Sequence, residues 1–308
     1  MNISIVIPVY NGQETITELT ERLGRVLAGM TEAYEVILVC DGSPDNSWSV
    51  IEQLAARFPC VVGIRLMRNY GQHNALLCGV RAARYELTVT IDDDLQNPPE
   101  EIPVLLKKLE EGYDVVFGVP KKMSQNWWRN FTSVVAKKVV GLVMGQRKIS
   151  DITSYRIFRT HLREAFQSYQ GPELLLDYLL TWGTDRFGTV PVDELPRKVG
   201  RSNYTLGKLI KLTLTLLTGY TTVPLRFASI LGFFFTLIGG LVLIYVLIVY
   251  FVIGSEPGFP FLASAISIFS GVQLFALGIM GEYLSRVFDR TQGRPTYQVL
   301  TAIGGEKK

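Results

Sequence analysis

Short apolar runs rich in β-branched residues alternate with longer helical stretches through the first part of the chain. Ile3 to Ile7, Glu35 to Val39, Val61 to Leu66 and Leu87 to Ile91 have strand length and little polar alternation, as strands buried on both faces of a parallel sheet do. Between them Glu14 to Met30, Asn46 to Phe58 and Gln72 to Arg84 read as helices, with Asp45 or Asn46 capping the second. Asn97-Pro98-Pro99-Glu100-Glu101 opens a fourth helix, since proline and glutamate suit the free N–H groups of a first turn. Asp114 to Gly118 reads as a further strand. Strand–helix–strand repetition at this spacing predicts an open, doubly wound α/β sheet, whose ligands bind at the carboxyl ends of the strands. Polar, glycine-containing clusters fall at those ends: Pro8-Tyr10-Asn11, Asp41-Gly42-Ser43, Arg68-Asn69-Tyr70-Gly71 and Asp92-Asp93-Asp94.

The pattern then changes. Trp127 to Met144 is amphipathic, and its Arg129 and Lys137-Lys138 suit either anionic lipid or a solvated helix face packed on the sheet. Tyr204 to Leu217, followed by Pro224-Leu225-Arg226, predicts an interfacial helix over 204–226. From Phe227 to Gly281 the only charge is Glu256, so 227–253 and 258–281 predict two membrane-spanning helices. The link between them has no Lys or Arg, whereas Lys208, Lys211 and Arg226 precede the pair and Arg286, Arg290, Arg294, Lys307 and Lys308 follow it. The positive-inside rule then predicts a multi-pass protein of the inner (plasma) membrane, with the amino-terminal domain and both termini cytoplasmic. The expected organisation is a cytoplasmic domain over 1–203, the juxtamembrane helix, the two spans and a cytoplasmic tail over 282–308.

Composition narrows the function. The 308 residues are 48% hydrophobic with a mean hydropathy of +0.22, which excludes collagen, disorder and a disulfide-stapled scaffold. A net charge of +3 gives no reason to expect nucleic acid as partner. Cys40, Cys60 and Cys78 form no CxxC and read as small buried hydrophobes in a reducing compartment. Met1-Asn2 runs directly into a strand-like segment, so no cleavable signal peptide is expected.

Asp92-Asp93-Asp94 carries the sharpest chemistry. Adjacent carboxylates repel and need a cation or hydrogen-bond donors to hold them together. Hard oxygen ligands suit Mg²⁺ or Mn²⁺, which bind one or two carboxylates and complete their shell with substrate phosphates. The alternative is a solvated acidic turn that caps the next helix.

Taken in order, Val6-Ile7-Pro8-Val9-Tyr10-Asn11, Asp41-Gly42-Ser43, Arg68-Asn69-Tyr70-Gly71-Gln72 and Asp92-Asp93-Asp94-Leu95-Gln96-Asn97-Pro98-Pro99-Glu100 resemble family-two glycosyltransferases of the GT-A fold. The match is closest to the membrane-anchored polyprenyl-phosphate group, and it extends through Gly200-Arg201-Ser202-Asn203-Tyr204 and the hydrophobic spans to Gly281-Glu282-Tyr283 and Arg294-Pro295. The resemblance implies a GT-A nucleotide-diphospho-sugar transferase fold with a two-helix membrane anchor. It implies an inverting, metal-dependent transfer of one sugar from a nucleotide-sugar, UDP-sugars favoured, to a polyprenyl phosphate such as undecaprenyl phosphate, for cell-envelope glycan or lipid modification.

The resemblance also implies roles. Asp94, Gln96 and Asp92 would hold Mg²⁺ or Mn²⁺, and Asp92, Asp94 and Asp151 would serve catalysis. Pro8, Tyr10, Asn11, Asp41, Asn69, Gly71, Gln72, Asp92, Asp93 and Lys121 would bind the donor. Arg129, Arg156, Arg197, Arg201 and Ser202 would hold the acceptor phosphate. Tyr10 has an alternative as a core aromatic, Gly71 as a turn former, and His73 reads as a helix-start residue satisfied by local hydrogen bonds.

The chain departs from the family pattern at several points. Gly12 stands where relatives carry a glutamate, and Pro120 replaces an arginine, leaving Lys121 and Lys122 as substitutes. Asn203 replaces the usual lysine, and the acidic position before Tyr155-Arg156 is filled by Ser154 or by the displaced Asp151. Competing readings are transfer to another lipid or glycan acceptor, and a non-catalytic scaffold that binds nucleotide-sugar. Gly239-Gly240 and other small residues permit a homo-oligomer through close helix contact.

Overall fold

The structure is a computed structural model that describes residues 1–121, 153–171, 174–195, 221–254 and 258–305. The chain divides into two compact units, Met1–Asn203 with Gly293–Lys308, and Tyr204–Gln292.

The first unit is built on an eight-stranded sheet: β1 (Ile3–Val9), β2 (Tyr34–Cys40), β3 (Val61–Leu66), β4 (Leu87–Thr90), β5 (Val115–Pro120), β6 (Arg156–Arg159), β7 (Phe187–Val192) and β8 (Val299–Gly304). Their order across the sheet is β7-β5-β6-β4-β1-β2-β3-β8. β1 pairs in parallel with β2 and β4, β2 with β3, and β5 with β7; β6 runs antiparallel to β4 and β5, and β8 antiparallel to β3.

Helices α1 (Ile16–Leu27), α2 (Ser47–Arg57), α3 (Gln72–Ala82) and α4 (Ile102–Glu110) follow the first four strands, and a short α5 (Leu176–Leu180) precedes β7. All of β1 is buried. Ile3, Ile5, Ile7 and Val9 join a core with α1, α2 and α4, while Val6 joins the other with α3 and α5. Helices on both faces explain why the strand sequences lack polar alternation. Each fully buried aliphatic side chain contributes about 1.5–3 kcal/mol.

Of the two caps expected for α2, Asp45 serves, its Oδ1 accepting the Ser47 N–H at 3.1 Å, while Asn46, the residue before the helix, makes no side-chain cap. Three sequence expectations shift. The helix opened by Pro98-Pro99 begins as a 3-10 turn at Pro99–Glu101 before α4. β6 and β7 have no counterpart in the sequence pattern. The segment read as a tail, 282–308, instead continues a helix to Thr291 and then supplies β8 to the sheet edge beside β3.

The second unit holds α6 (Val223–Ile253) and α7 (Phe259–Thr291), both long and apolar enough to cross a membrane. Pro224 sits in the first turn of α6, and Gly254 ends it in the left-handed conformation. The two helices pack through Phe235 edge-on to Phe269, whose ring also lies against Gly239. Apolar side chains stay exposed around them, Phe251 at 80%. That surface suits lipid, not water. The helix expected over 127–144 and residues 204–220 of the expected juxtamembrane helix lie outside the described residues, and Val223 to Arg226, read as the end of that helix, open α6 instead.

Candidate active site

The strand order reverses direction at β1, with β2 and β3 on one side and β4 on the other. The loops after β1 and β4 therefore part, and a crevice opens at the carboxyl ends. A cleft of about 280 Å³ lies there. Pro8, Val9 and Tyr10 line it from the end of β1, Asp41 from β2, Asn69, Gly71 and Gln72 from the loop after β3, and Asp92, Asp93 and Asp94 from β4. The sequence motifs thus converge on one concave surface. Tyr10 is 47% exposed, so its ring belongs to the cleft and not to the core.

The loops are tied to one another by short polar side chains. Asp41 is buried, and its two carboxylate oxygens accept the backbone N–H groups of Tyr70 (2.7 Å) and Gly71 (2.8 Å). Burial pushes the Asp41 carboxyl up, and those two bonds pull against the shift. Gly42, at φ +60°, passes so close to Arg68 and Asn69 that any side chain there would overlap their backbone. The loop after β1 is held from the loop after β2. Ser43 accepts the Asn11 N–H at 2.8 Å, Ser47 accepts that of Gly12 at 3.0 Å, and Asp45 accepts that of Gln13 at 3.3 Å. Hydrogen bonds from Ser43, Ser47 and Gln13 outweigh desolvation and hold the Asp45 carboxyl below its ordinary value. Sequence reasoning places Ser43 in a strand-end motif and Asp45 as a helix cap but gives neither, nor Ser47, this bridging role; their clustering within one strand-end loop is the signal that could have found it.

The three aspartates are not equivalent. Asp92 accepts the side-chain N–H of Gln72 at 2.6 Å and the hydroxyl of Ser154 at 2.5 Å. Asp93 turns back toward β1, accepting the Tyr10 N–H at 3.3 Å beneath Gly12. A side chain at residue 12 would run into that carboxylate, so Gly12 and Asp93 together fill the space that a glutamate at this position would need. Burial, then its two acidic neighbours, raise the Asp93 carboxyl to about 7. Asp94 closes a small turn by accepting the Gln96 N–H at 3.1 Å while lining the cleft.

Among the described residues no group of three or more His, Cys, Asp or Glu side chains forms a preformed metal cage. The donor set fits a hard divalent cation of the kind that takes a carboxylate or two and completes its shell with phosphate oxygens. Asp94, which lines the cleft, is a candidate ligand. Asp92 can share such a cation only beside its bonds to Gln72 and Ser154. The backbone carbonyl of Gln96 accepts the Leu195 N–H at 2.8 Å.

Behind Asp92 lies a buried polar group that the sequence did not reveal. Arg156 is fully buried, donates through Nε to the Thr90 hydroxyl at 2.9 Å, and forms an ion pair with Asp177 of α5. This overturns its reading as an exposed donor to an acceptor phosphate: the guanidinium is committed inside the fold. Burial lowers Arg156 to about 10, with Asp92 opposing the shift. His73 is half-buried, and its buried Nδ1 has no hydrogen-bond partner among the described residues, contrary to the expected local satisfaction. Burial and then Arg156 push it down to about 4, so the imidazole is neutral. Lys121 caps the far end of β5, pairs with Asp193 at 3.0 Å, and is not among the residues lining the cleft. Lys122, Arg129, Asp151, Arg197, Arg201, Ser202 and Asn203 lie outside the described residues.

The family model for glycosyl transferase family 2 matches residues 4–169. The chain is 36% identical over 307 residues to the undecaprenyl-phosphate 4-deoxy-4-formamido-L-arabinose transferase of Serratia proteamaculans, covering 98% of this chain and 94% of that one. It is 38% identical over 309 residues to the protein of the same name from Shewanella sediminis, covering 99% and 93%. Among solved structures, glucosyl-3-phosphoglycerate synthase from Mycobacterium tuberculosis, in complex with Mn²⁺, UDP and phosphoglyceric acid, superposes with a TM-score of 0.51 at 20% identity, over 70% of this chain and 76% of that chain. That likeness establishes a shared fold.

Proposed function

The chain belongs to glycosyl transferase family 2, with a GT-A catalytic unit, and from that premise we propose that it transfers a single sugar from a nucleotide-sugar to undecaprenyl phosphate. The observation that carries the reading is the meeting of all four strand-end motifs in one cleft of a chain that also holds two apolar helices of spanning length. Similarity over nearly the whole length to proteins named for transfer to undecaprenyl phosphate supports the acceptor class.

In this reading the Tyr10 ring packs beside the nucleoside, and Asp41 holds the 69–71 loop against it. Asp94 would hold Mg²⁺ or Mn²⁺ for the donor diphosphate, with Asp92 and Gln96 as further ligands. When bound, the cation supplies Lewis-acid stabilisation of the leaving nucleoside diphosphate. The acceptor phosphate is already anionic, so no strong base is needed. A phosphate oxygen forms a bond to the anomeric carbon as the bond to the diphosphate oxygen breaks with its electron pair. A single in-line displacement inverts the anomeric centre, and holding the two reactants in line supplies much of the acceleration. Arg129, Arg197, Arg201 and Ser202 remain the proposed phosphate donors, and Asp151 the proposed acidic catalytic residue.

α6 and α7 cross the membrane in this proposal, and the excess of Lys and Arg on their outer flanks keeps the catalytic unit and both termini cytoplasmic. A reporter fused after Lys308 is expected to be active only in its cytoplasmic form; an extracytoplasmic signal overturns this orientation.

The test is a reaction of purified full-length protein with undecaprenyl phosphate and a panel of UDP-, GDP- and dTDP-sugars, in Mg²⁺ or Mn²⁺. Nucleoside diphosphate release that requires both substrates is expected, with a UDP-sugar. Release that ignores the lipid, or none with any donor, overturns the proposal. Asp41→Ala leaves the Tyr70 N–H without its acceptor and the Gly71 N–H with Asn69 Oδ1 alone. It is expected to raise the donor KM about tenfold while acceptor KM holds. An unchanged donor KM removes Asp41 from the donor site.

A further inference from the structure

Asp177 stands in a leucine-rich helix, and only about one-tenth of its surface is exposed. Its partner Arg156 is completely buried. A buried charge persists when it is paired and hydrogen-bonded, and this one is held by Asp177 on one side and by Thr90 on the other. Thr90 in turn donates to the Ser154 carbonyl at 2.6 Å, and the Ser154 hydroxyl donates to Asp92. The guanidinium is near enough for the Asp92 charge to act on it. α3, β4, β6 and α5 all contribute to this cluster, with Gln72, Thr90, Arg156 and Asp177 as their respective members.

Charge balance gives the arrangement a purpose. Arg156 alone would place an uncancelled positive charge in the interior behind Asp92. In a poorly solvated interior that charge would reach the cleft and oppose a divalent cation. With Asp177 attached, the pair is neutral, and the carboxylates of Asp92 and Asp94 keep their field toward the cleft. The neighbouring His73 is neutral and adds no positive charge. The arginine thus orders the β4–β6 junction without weakening the site in front of it.

We propose that Asp177 is a positioning residue for the cation-binding carboxylates, acting through Arg156. It neutralises the guanidinium from behind, so that the carboxylates of Asp92 and Asp94 keep their field toward the cleft and the cleft retains its affinity for a divalent cation. The inference rests on the cation role given above to Asp94 and Asp92.

Mn²⁺ binding to the full-length protein in detergent, followed by electron paramagnetic resonance in the presence of UDP, tests it without turnover. Asp177→Asn keeps the shape and removes the charge. It is expected to weaken Mn²⁺ binding about tenfold or more. The double variant Arg156→Met with Asp177→Leu removes both charges and replaces the pair by apolar groups of similar size, a change buried pairs often tolerate. It is expected to bind Mn²⁺ at least as tightly as the unsubstituted protein. This comparison holds even if the single variant folds poorly. A single variant with unaltered Mn²⁺ affinity, or a folded double variant that has lost Mn²⁺, overturns the positioning role and leaves the cleft assignment standing. Failure of the unsubstituted protein to bind Mn²⁺ with UDP overturns both.

Discussion

Asp94→Asn is expected to reduce turnover by about a thousandfold or more, the largest effect of any single substitution in the cleft. Of the three adjacent carboxylates, Asp92 is engaged by Gln72 and Ser154, and Asp93 faces the backbone of Tyr10 under Gly12. Asp94 lines the cleft and, in the proposed function, is the carboxylate that meets a cation on the donor diphosphate. Asparagine retains the carbonyl oxygen that accepts the Gln96 N–H, so the local turn persists and the protein should stay folded and membrane-bound. The measurement pairs kcat with thermal unfolding and membrane fractionation. Chelation should reproduce the loss, and added Mg²⁺ or Mn²⁺ should restore the unsubstituted enzyme. Full activity in excess EDTA would exclude the metal assignment.

Arg201→Ala is expected to lower acceptor kcat/KM by about ten- to hundredfold, the equivalent of a charge-assisted bond of roughly 1.5–3 kcal/mol, while donor affinity stays near its original value. A polyprenyl phosphate is confined to the bilayer surface by its tail, so the site must capture it there. Gly200-Arg201-Ser202-Asn203-Tyr204 directly precedes the segment with Lys208 and Lys211, and the fold leaves Arg156 unavailable for the task. A guanidinium can make two parallel bonds to phosphate, which an ammonium does not reproduce, so Arg201→Lys should recover only part of the loss. Acceptor kinetics in nanodiscs beside donor calorimetry decide it. Normal acceptor kinetics with weakened donor binding would move this loop to the nucleotide.

The sequence was most legible where one physical requirement dominated. β1 to β4 are continuous apolar runs because both faces are covered, and their polar ends mark the cleft because a ligand site needs uncovered strand ends. β6 was hidden because its four residues begin and end with arginine. Asp177 and Thr90, both distant in sequence, make a buried Arg156 acceptable, and hydropathy is blind to such pairing. A lone carboxylate within Leu174-Leu175-Leu176-Asp177-Tyr178-Leu179-Leu180 was the available hint, since an apolar helix holds an acid at a cost unless something meets it. Likewise the division of labour among Asp92, Asp93 and Asp94 depends on Gln72, Ser154 and Gly12, which approach through the fold. β8 was obscured by its place after the apolar helices, where a terminal tail was the simpler reading.

That last strand also dictates an order of events during synthesis. The sheet's edge at β3 is completed by residues made only after both apolar helices. While the ribosome is still translating α6 and α7, β3 presents a bare row of N–H and C=O groups, the kind of edge that recruits other chains. The helices are thus an insertion within the catalytic fold, and a ribosome that stalls after Gln292 releases an unfinished sheet. Cutting the gene after Asn203 should yield an aggregation-prone protein, whereas joining Gly293–Gly305 to Asn203 through a flexible linker returns the missing edge.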